Sequence, residues 1–145
     1  MSVLLTIASL RLVARTKALF TVTLALAAAA LERALKHYPL AEVSGHFHDT
    51  YGQALANIYA CMELGVHVFD ASVAGLGGCP YAKGATGNVA TEDVAFMLRG
   101  MDIDTGIDLD ALVEAGGFIS DVLGRAPVSR AVAATRQVCA AVQAA

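Results

Sequence analysis

Tryptophan is absent from this 145-residue chain, proline occurs only three times, and charged residues make up only 16% of the sequence. With 57% hydrophobic residues, the chain is too apolar for a disordered tail and has the length of one domain with a sizeable core. Ten Lys and Arg against thirteen Asp and Glu give a net charge of -3, and no basic run could neutralise a series of phosphates. Nucleic acid is therefore excluded as a partner.

Cysteine is also scarce, and its three copies form no CxxC pair. An odd number at wide spacing excludes a disulfide scaffold and a structural zinc site, and it predicts a reducing, cytoplasmic compartment. Cys61 and Cys139 lie within helical patterns and are predicted to be buried core residues. Cys79 differs, because Gly78 and Pro80 place it on a turn whose backbone can approach a ligand closely.

Acidic residues are missing from the first 31 positions, which instead carry three basic residues ahead of an apolar run: Arg11, Arg15 and Lys17. This order is typical of a signal peptide or a transit segment, and a transit segment would direct the protein to the mitochondrial matrix. The apolar run, 18–31, is short for a membrane span and continues as an amphipathic pattern up to Pro39. A soluble helix is therefore the favoured prediction, and a membrane partner is not expected.

Beyond residue 40, strand-like and helical runs alternate. Strands are predicted at 42–48 and 67–74, the second buried on both faces, and helices at 53–64, 91–99, 110–123 and 128–142. This order predicts parallel strands, which need cover on both faces and edges. The predicted fold class is α/β, the C-terminal βαβα portion of a (β/α)₈ TIM barrel plus C-terminal helices, an incomplete barrel whose first strand has an open edge. The predicted segments are 1–17 unassigned, 18–125 partial barrel and 126–145 C-terminal helix.

His46 and His48 stand two residues apart on the first predicted strand, so both imidazoles should point to the same face. Two neutral imidazoles on one face can share a cation, and barrel enzymes place ligands at strand ends. Asp49 could orient one of the rings. A pair of hydrogen-bonded strand histidines is the alternative. The two other histidines, His37 and His67, are interpreted as structural.

The loop at 75–88 holds five of the thirteen glycines. It is not a nucleotide-binding loop, because Pro80 breaks the GxGxxG spacing and no Gly-Lys-Ser/Thr follows. The acids that follow the next helix do not form a calcium loop, since Ile107 stands where such a loop needs glycine. These acids, Asp102, Asp104 and Asp108, are interpreted as turn and cap residues.

Two long motifs carry a resemblance to a known family. Residues 46–57 (HFHDTYGQALAN) and 72–93 (SVAGLGGCPYAKGATGNVATED) resemble the C-terminal part of 3-hydroxy-3-methylglutaryl-coenzyme A lyases. Related metal-dependent aldolases and synthases share the HxH element, but the Gly-Gly-Cys-Pro-Tyr-Ala loop is much more specific to the lyases. The resemblance covers about 40–125.

The resemblance implies a divalent cation, Mg²⁺ or Mn²⁺, bound by His46, His48 and Asn88. It also implies that Cys79 is a catalytic cysteine, that His46 takes part in proton transfer and that Glu92 contributes to catalysis. The implied substrate is an acyl-CoA, cleaved by a retro-Claisen reaction to acetyl-CoA and acetoacetate. The remaining metal ligand of the family, an aspartate after an arginine, has no counterpart, because the chain contains no Arg-Asp pair.

Three functions stay open at the level of the sequence. The chain is a lyase or one piece of a lyase, a non-catalytic remnant of one, or an N-terminally membrane-tethered or exported small protein. The resemblance favours the first. The isolated chain is expected to have little activity, and its apolar surfaces are expected to drive self-association or homo-oligomer formation.

Overall fold

The computed structural model describes residues 3–6, 24–78 and 87–143. They contain three strands and five α-helices: β1 (Val3–Thr6), α1 (Leu24–Ala34), β2 (Val43–His46), α2 (Ala54–Glu63), β3 (Phe69–Asp70), α3 (Thr91–Gly100), α4 (Leu109–Val122) and α5 (Arg130–Gln143). The chain divides into two compact units, Met1–Asp70 and Ala71–Ala145. The segment boundaries drawn after residues 17 and 125 stay predictions.

The first unit contains a parallel sheet in the order β1-β2-β3. Val3 pairs with Val43 at one end of β2, and His46 pairs with Asp70 at the other. The parallel arrangement is as predicted, but β1 lies in the segment that sequence patterns left unassigned. Because β1 pairs along the whole of β2, the open edge predicted for the histidine-bearing strand is wrong.

The second predicted strand differs most from expectation. Of 67–74 only Phe69–Asp70 is a strand, and Val68 is 51% exposed, so burial on both faces is wrong. Ala74 adopts a left-handed conformation with φ 54°, which cannot continue a strand. Residues Val73–Gly75 instead form a 3₁₀ turn, and Ser72 forms an isolated parallel bridge with Ala90.

Helix α1 ends at Ala34, earlier than the predicted stop at Pro39, and a turn joins it to the 3₁₀ turn Leu40–Glu42 before β2. Ala27 and Leu31, one turn apart, are buried. Among the residues of the first unit whose burial the structure describes, the buried apolar ones are Ala27, Leu31, Ala34, Val43, Phe47, Ala54, Ile58, Cys61 and Val66.

The second unit consists mainly of α3, α4 and α5, as predicted from the helical patterns. Ala95, Leu109, Val113 and Val132 form its buried apolar cluster. Asp108 caps α4, because its side chain accepts hydrogen bonds from the backbone N–H groups of residues 110 and 111. The cap role predicted for this acid is confirmed. Among the described residues, no helix combines the length and apolar character needed to cross a bilayer.

Gly45 is the position in β2 where a side chain has no room. A Cβ there would lie 2.7 Å from Phe69 Cδ1 and 2.8 Å from Phe47 Cε2, so both rings would have to move. We expect Gly45→Ala to lower the free energy of unfolding by about 2 kcal/mol, measured by denaturant unfolding followed by circular dichroism. Gly100→Ala is the matched control, since a Cβ there meets nothing within 4 Å. Equal stabilities for the two variants would contradict the packing argument.

Candidate metal-binding and catalytic site

The imidazoles of His46 and His48 lie side by side where β2 ends. Their ring centroids are 5.4 Å apart and the ring planes are tilted by 56°. This proximity agrees with the two-residue spacing of the motif. Burial, and secondarily the neighbouring His46, lowers the pKa of His48 below its usual value. The neutral imidazole, which is the form that binds a cation, is therefore favoured at this position.

His46 brings a buried nitrogen to the site. Its Nδ1 has no hydrogen-bond partner among the described residues, although Asp70 Oδ2 lies 3.5 Å away on the neighbouring strand. That distance is too long for a hydrogen bond, so the contact is electrostatic only. Sequence reasoning missed Asp70. The signal was available, because an acid at the end of one parallel strand lies beside the residue that ends the next strand.

Asp49, the residue after His48, has another contact. Asp49 Oδ1 accepts a hydrogen bond of 2.9 Å from the Ala54 N–H, the first residue of α2. Its predicted role in orienting an imidazole stays a prediction. His37 and His67 are exposed, and His67 Nδ1 lies 3.1 Å from the Gly65 carbonyl oxygen.

The donor chemistry of the histidine pair fits a divalent cation only in part. Two imidazoles, one with a buried unpartnered nitrogen, supply nitrogen ligands. Across 3–6, 24–78 and 87–143, no group of three or more His, Cys, Asp or Glu side chains is placed to hold a metal. A hard cation such as Mg²⁺ or Mn²⁺ would therefore need additional oxygen ligands, from an asparagine, substrate or water.

The second unit holds the stem of the glycine-rich loop, which we define as residues 74–78 and 87–88. Asn88 Nδ2 donates a 3.0 Å hydrogen bond to the Leu76 carbonyl oxygen and so ties the two sides of the stem together. Gly87 packs directly on the Gly77 backbone, which leaves no space for a Cβ at position 87. The side chain of Asn88 is thus held in place by its hydrogen bond to the opposite side of the stem. The predicted catalytic Cys79 lies outside the described residues.

Glu92 is fully buried and fixes the start of this stem. Its two carboxylate oxygens accept the Ala74 N–H at 2.8 and 3.0 Å, which holds Ala74 in its left-handed conformation. Oε1 also lies directly over Gly116 in α4. Burial raises the pKa of Glu92, and the hydrogen bonds, including that from Ala74, offset part of the rise. The Glu92 carboxyl group therefore binds the Ala74 backbone N–H in the interior of the unit and has no solvent-exposed surface.

The two described cysteines occupy opposite environments. Cys61 is buried in α2 as predicted, whereas Cys139 is exposed on α5, so its predicted burial is wrong. A helical pattern places a residue on a helix but does not show that its face is covered. Cys139 is surrounded along α5 by other exposed positions, Arg136 and Val138 among them.

Burial raises the pKa of the Cys61 thiol to about 11. At pH 8 only about one Cys61 in a thousand is then a thiolate, the form that reacts with iodoacetamide. We expect peptide mapping after mild alkylation to find Cys139 modified at least about tenfold faster than Cys61. Labelling in guanidinium chloride is the control, in which both peptides should react alike. Faster labelling of Cys61 in the folded chain would contradict its burial.

The paired, partly buried imidazoles where β2 ends lie at the position where α/β-barrel enzymes place their ligands. The chain belongs to the HMGL-like family, whose model matches residues 21–119. The resemblance inferred from the two motifs is confirmed.

Two curated relatives and one solved structure illustrate the similarity. The chain is 61% identical over 104 residues to a 3-hydroxy-3-isohexenylglutaryl-CoA/hydroxy-methylglutaryl-CoA lyase of Pseudomonas aeruginosa, covering 72% of this chain and 35% of the relative. It is 53% identical over 105 residues to the human mitochondrial hydroxymethylglutaryl-CoA lyase, covering 72% and 32%. The crystal structure of hydroxymethylglutaryl-CoA lyase from Pseudomonas aeruginosa matches with a TM-score of 0.76 and 56% identity, covering 79% and 38%. The chain thus spans about a third of the length of these curated relatives.

Proposed function

We propose that the chain carries part of the active site of a carbon–carbon lyase that cleaves 3-hydroxy-3-methylglutaryl-CoA or a close homologue. The paired imidazoles of His46 and His48 at the end of a parallel strand are the observation that carries the proposal. The names of the relatives support an acyl-CoA as substrate. The chain would supply a C-terminal portion of a barrel, with β2 and β3 as neighbouring barrel strands.

The histidine pair would hold a divalent cation, Mg²⁺ or Mn²⁺, and Asn88 is the further ligand that the family resemblance implies. Bound there, the cation would polarise the hydroxyl and carbonyl oxygens of the substrate. The low pKa of His48 keeps its nitrogen available at neutral pH. The buried Nδ1 of His46 lies 3.5 Å from Asp70 Oδ2 on the neighbouring strand.

The reaction needs one proton acceptor and one proton donor. His46 would accept the proton of the tertiary hydroxyl, whose oxygen becomes the ketone of acetoacetate as the adjacent C–C bond breaks. The electron pair of that bond passes to the thioester enolate, and Cys79 would return a proton to its carbon to give acetyl-CoA. Glu92 contributes by holding the Ala74 N–H at the base of the loop that carries Cys79.

Compartment and assembly stay predictions. Relatives of this chain include proteins named as mitochondrial and as cytoplasmic, so the family permits both. The predicted self-association draws on apolar side chains that are more than half exposed in the second unit: Phe96, Phe118, Val122, Leu123, Val138 and Val142.

A titration with Mn²⁺ tests the role of the histidine pair. His46→Ala and His48→Ala should each weaken Mn²⁺ binding about tenfold or more, because each removes one ligand. His67→Ala is the matched control, since this exposed histidine lies in the same unit and should not alter the affinity. Unchanged Mn²⁺ affinity in both site variants would overturn the proposed metal site.

A further inference from the structure

Asp93, the residue after Glu92, is also buried. Its carboxylate accepts hydrogen bonds from the start of another helix, α5. Oδ1 accepts hydrogen bonds from Ser129 Oγ at 2.8 Å and from the Ala131 N–H at 2.9 Å. Oδ2 accepts a third, of 3.2 Å, from the Arg130 N–H. All three donors belong to the first turn of α5 or to the residue before it. Asp93 on α3 therefore satisfies backbone groups at the start of α5 that have no partner within that helix.

Helix α5 has no acid of its own in its first turn. Ser129 caps the helix in the usual way, since its Oγ accepts the Val132 N–H at 3.2 Å, and Asp93 in turn accepts the Ser129 hydroxyl. The negative charge beside the positive end of the helix dipole also comes from Asp93. One side chain of α3 thus holds the start of α5, a helix that lies beyond the residues matched by the family model, 21–119.

The capped end of α5 lies against the loop stem. A Cβ built on Gly75 would lie 3.5 Å from Val128 Cγ1 on one side and 3.1 Å from the Asn88 carbonyl oxygen on another. Val128 directly precedes the two residues that Asp93 holds by Ser129 Oγ and the Arg130 N–H. Fixing residues 129–131 therefore fixes the side chain that packs on Gly75.

A second path runs through the interior of the same unit. Val132, fully buried on α5, lies close to Gly116, the residue that also packs under the Glu92 carboxylate. Glu92 holds the Ala74 N–H. The start of α5 is thus connected to Gly75 through Val128, and to Ala74 through the packed groups of Val132, Gly116 and Glu92.

We propose that Asp93 is a positioning residue for the glycine-rich loop, acting through α5: its carboxylate fixes residues 129–131, and Val128 then sets Gly75 at the base of the stem. The role assigned to the loop rests on the proposed lyase function, but the coupling between α5 and the stem does not. It is a property of the second unit alone.

Hydrogen exchange read by mass spectrometry on the full chain tests this coupling. In Asp93→Ala, amides 130–133 should exchange about tenfold faster, as expected for loss of a cap, and amides 74–76 about threefold faster. Asp93→Asn keeps one acceptor oxygen and should restore most of the protection in both segments. If Asp93→Ala does not fold, Ser129→Ala is measured in the same way and should accelerate both segments to a lesser degree.

Asp121→Asn is the matched control, because it removes an exposed carboxylate that pairs with Arg136 of α5 away from the stem. It should leave amides 74–76 unchanged, and amides of α2 should be unchanged in every variant. Faster exchange at 130–133 without any change at 74–76 would overturn the proposal. The proposal would also be overturned if Asp121→Asn accelerated exchange at amides 74–76 as much as Asp93→Ala does. The same holds if Asp93→Asn restored no protection in either segment. None of these readouts requires turnover, so a failure here is distinct from a failure of the Mn²⁺ titration.

Discussion

The purified 145-residue chain should release acetoacetate from 3-hydroxy-3-methylglutaryl-CoA about 1000-fold more slowly than a whole lyase of the family, or not at all. Stabilising an alkoxide and an enolate requires exact placement of the groups involved, and an error of about 1 Å costs on the order of 100-fold. Loss of one metal ligand or its support adds about tenfold. The chain spans 35% of the Pseudomonas aeruginosa relative and contains no Arg-Asp pair to supply the family's acidic ligand.

The measurement is an acetoacetate-release assay with Mg²⁺, run beside size-exclusion chromatography. The whole Pseudomonas aeruginosa relative is the positive control. Addition of EDTA gives the background. We expect the chain to elute as oligomers or larger species, because apolar side chains on α4 and α5, such as Phe118 and Val142, are about 70% exposed. A monomer that turns over substrate at the rate of the whole relative would show that this chain builds a complete site.

Replacing Glu92 by alanine should lower the free energy of unfolding by about 3 kcal/mol, because the substitution leaves the buried Ala74 N–H without an acceptor and opens a cavity over Gly116. Removing a costly buried carboxyl offsets only part of this loss. Denaturant unfolding followed by circular dichroism measures the change. Glu92→Gln is the control, since its amide oxygen can still accept from Ala74, and it should cost less than about 1.5 kcal/mol. Equal losses for the two variants would contradict the backbone role of Glu92.

The pH dependence of stability provides a second test of the same side chain. Burial raises the pKa of Glu92, so the folded chain retains a proton that the unfolded chain releases near its ordinary pKa of about 4.3. The contribution of Glu92 to stability is therefore complete below that pH and is lost as pH rises through the folded pKa. Glu92→Gln should remove this decline. A wild-type chain that becomes more stable relative to Glu92→Gln over the same rise in pH would contradict the assigned direction.

Local sequence patterns identified α3, α4 and α5 closely, because each shows a helical period, and Asp108 also marks the start of α4. They failed at 67–74, where the apolar run suggested a buried strand. The left-handed conformation of Ala74 ends any strand there, and it depends on a carboxylate eighteen residues further along the chain. Contacts of that range leave no local pattern.

In the candidate site, too, local sequence predicted some features, whereas others depend on contacts between distant residues. The spacing of His46 and His48 predicted their proximity, since alternation along a strand is a local property. Asp70 beside His46 depends on the pairing of β2 with β3, and the burial of Asp93 depends on the docking of α5. The exposure of Cys139 likewise depends on which face of α5 is covered.

The pairing of β1 with β2 and of β2 with β3 has a consequence for biosynthesis. Every described strand of this sheet, and the described helices α1 and α2 between the strands, lie before residue 71. Chains are made from the N-terminus at about 5–20 residues per second, and domains generally fold as units as they emerge. The sheet with its histidine pair can thus form on the ribosome several seconds before α5 leaves the exit tunnel. The nascent chain would hold a formed His46–His48 pair before Val128, which packs on the loop stem, has emerged.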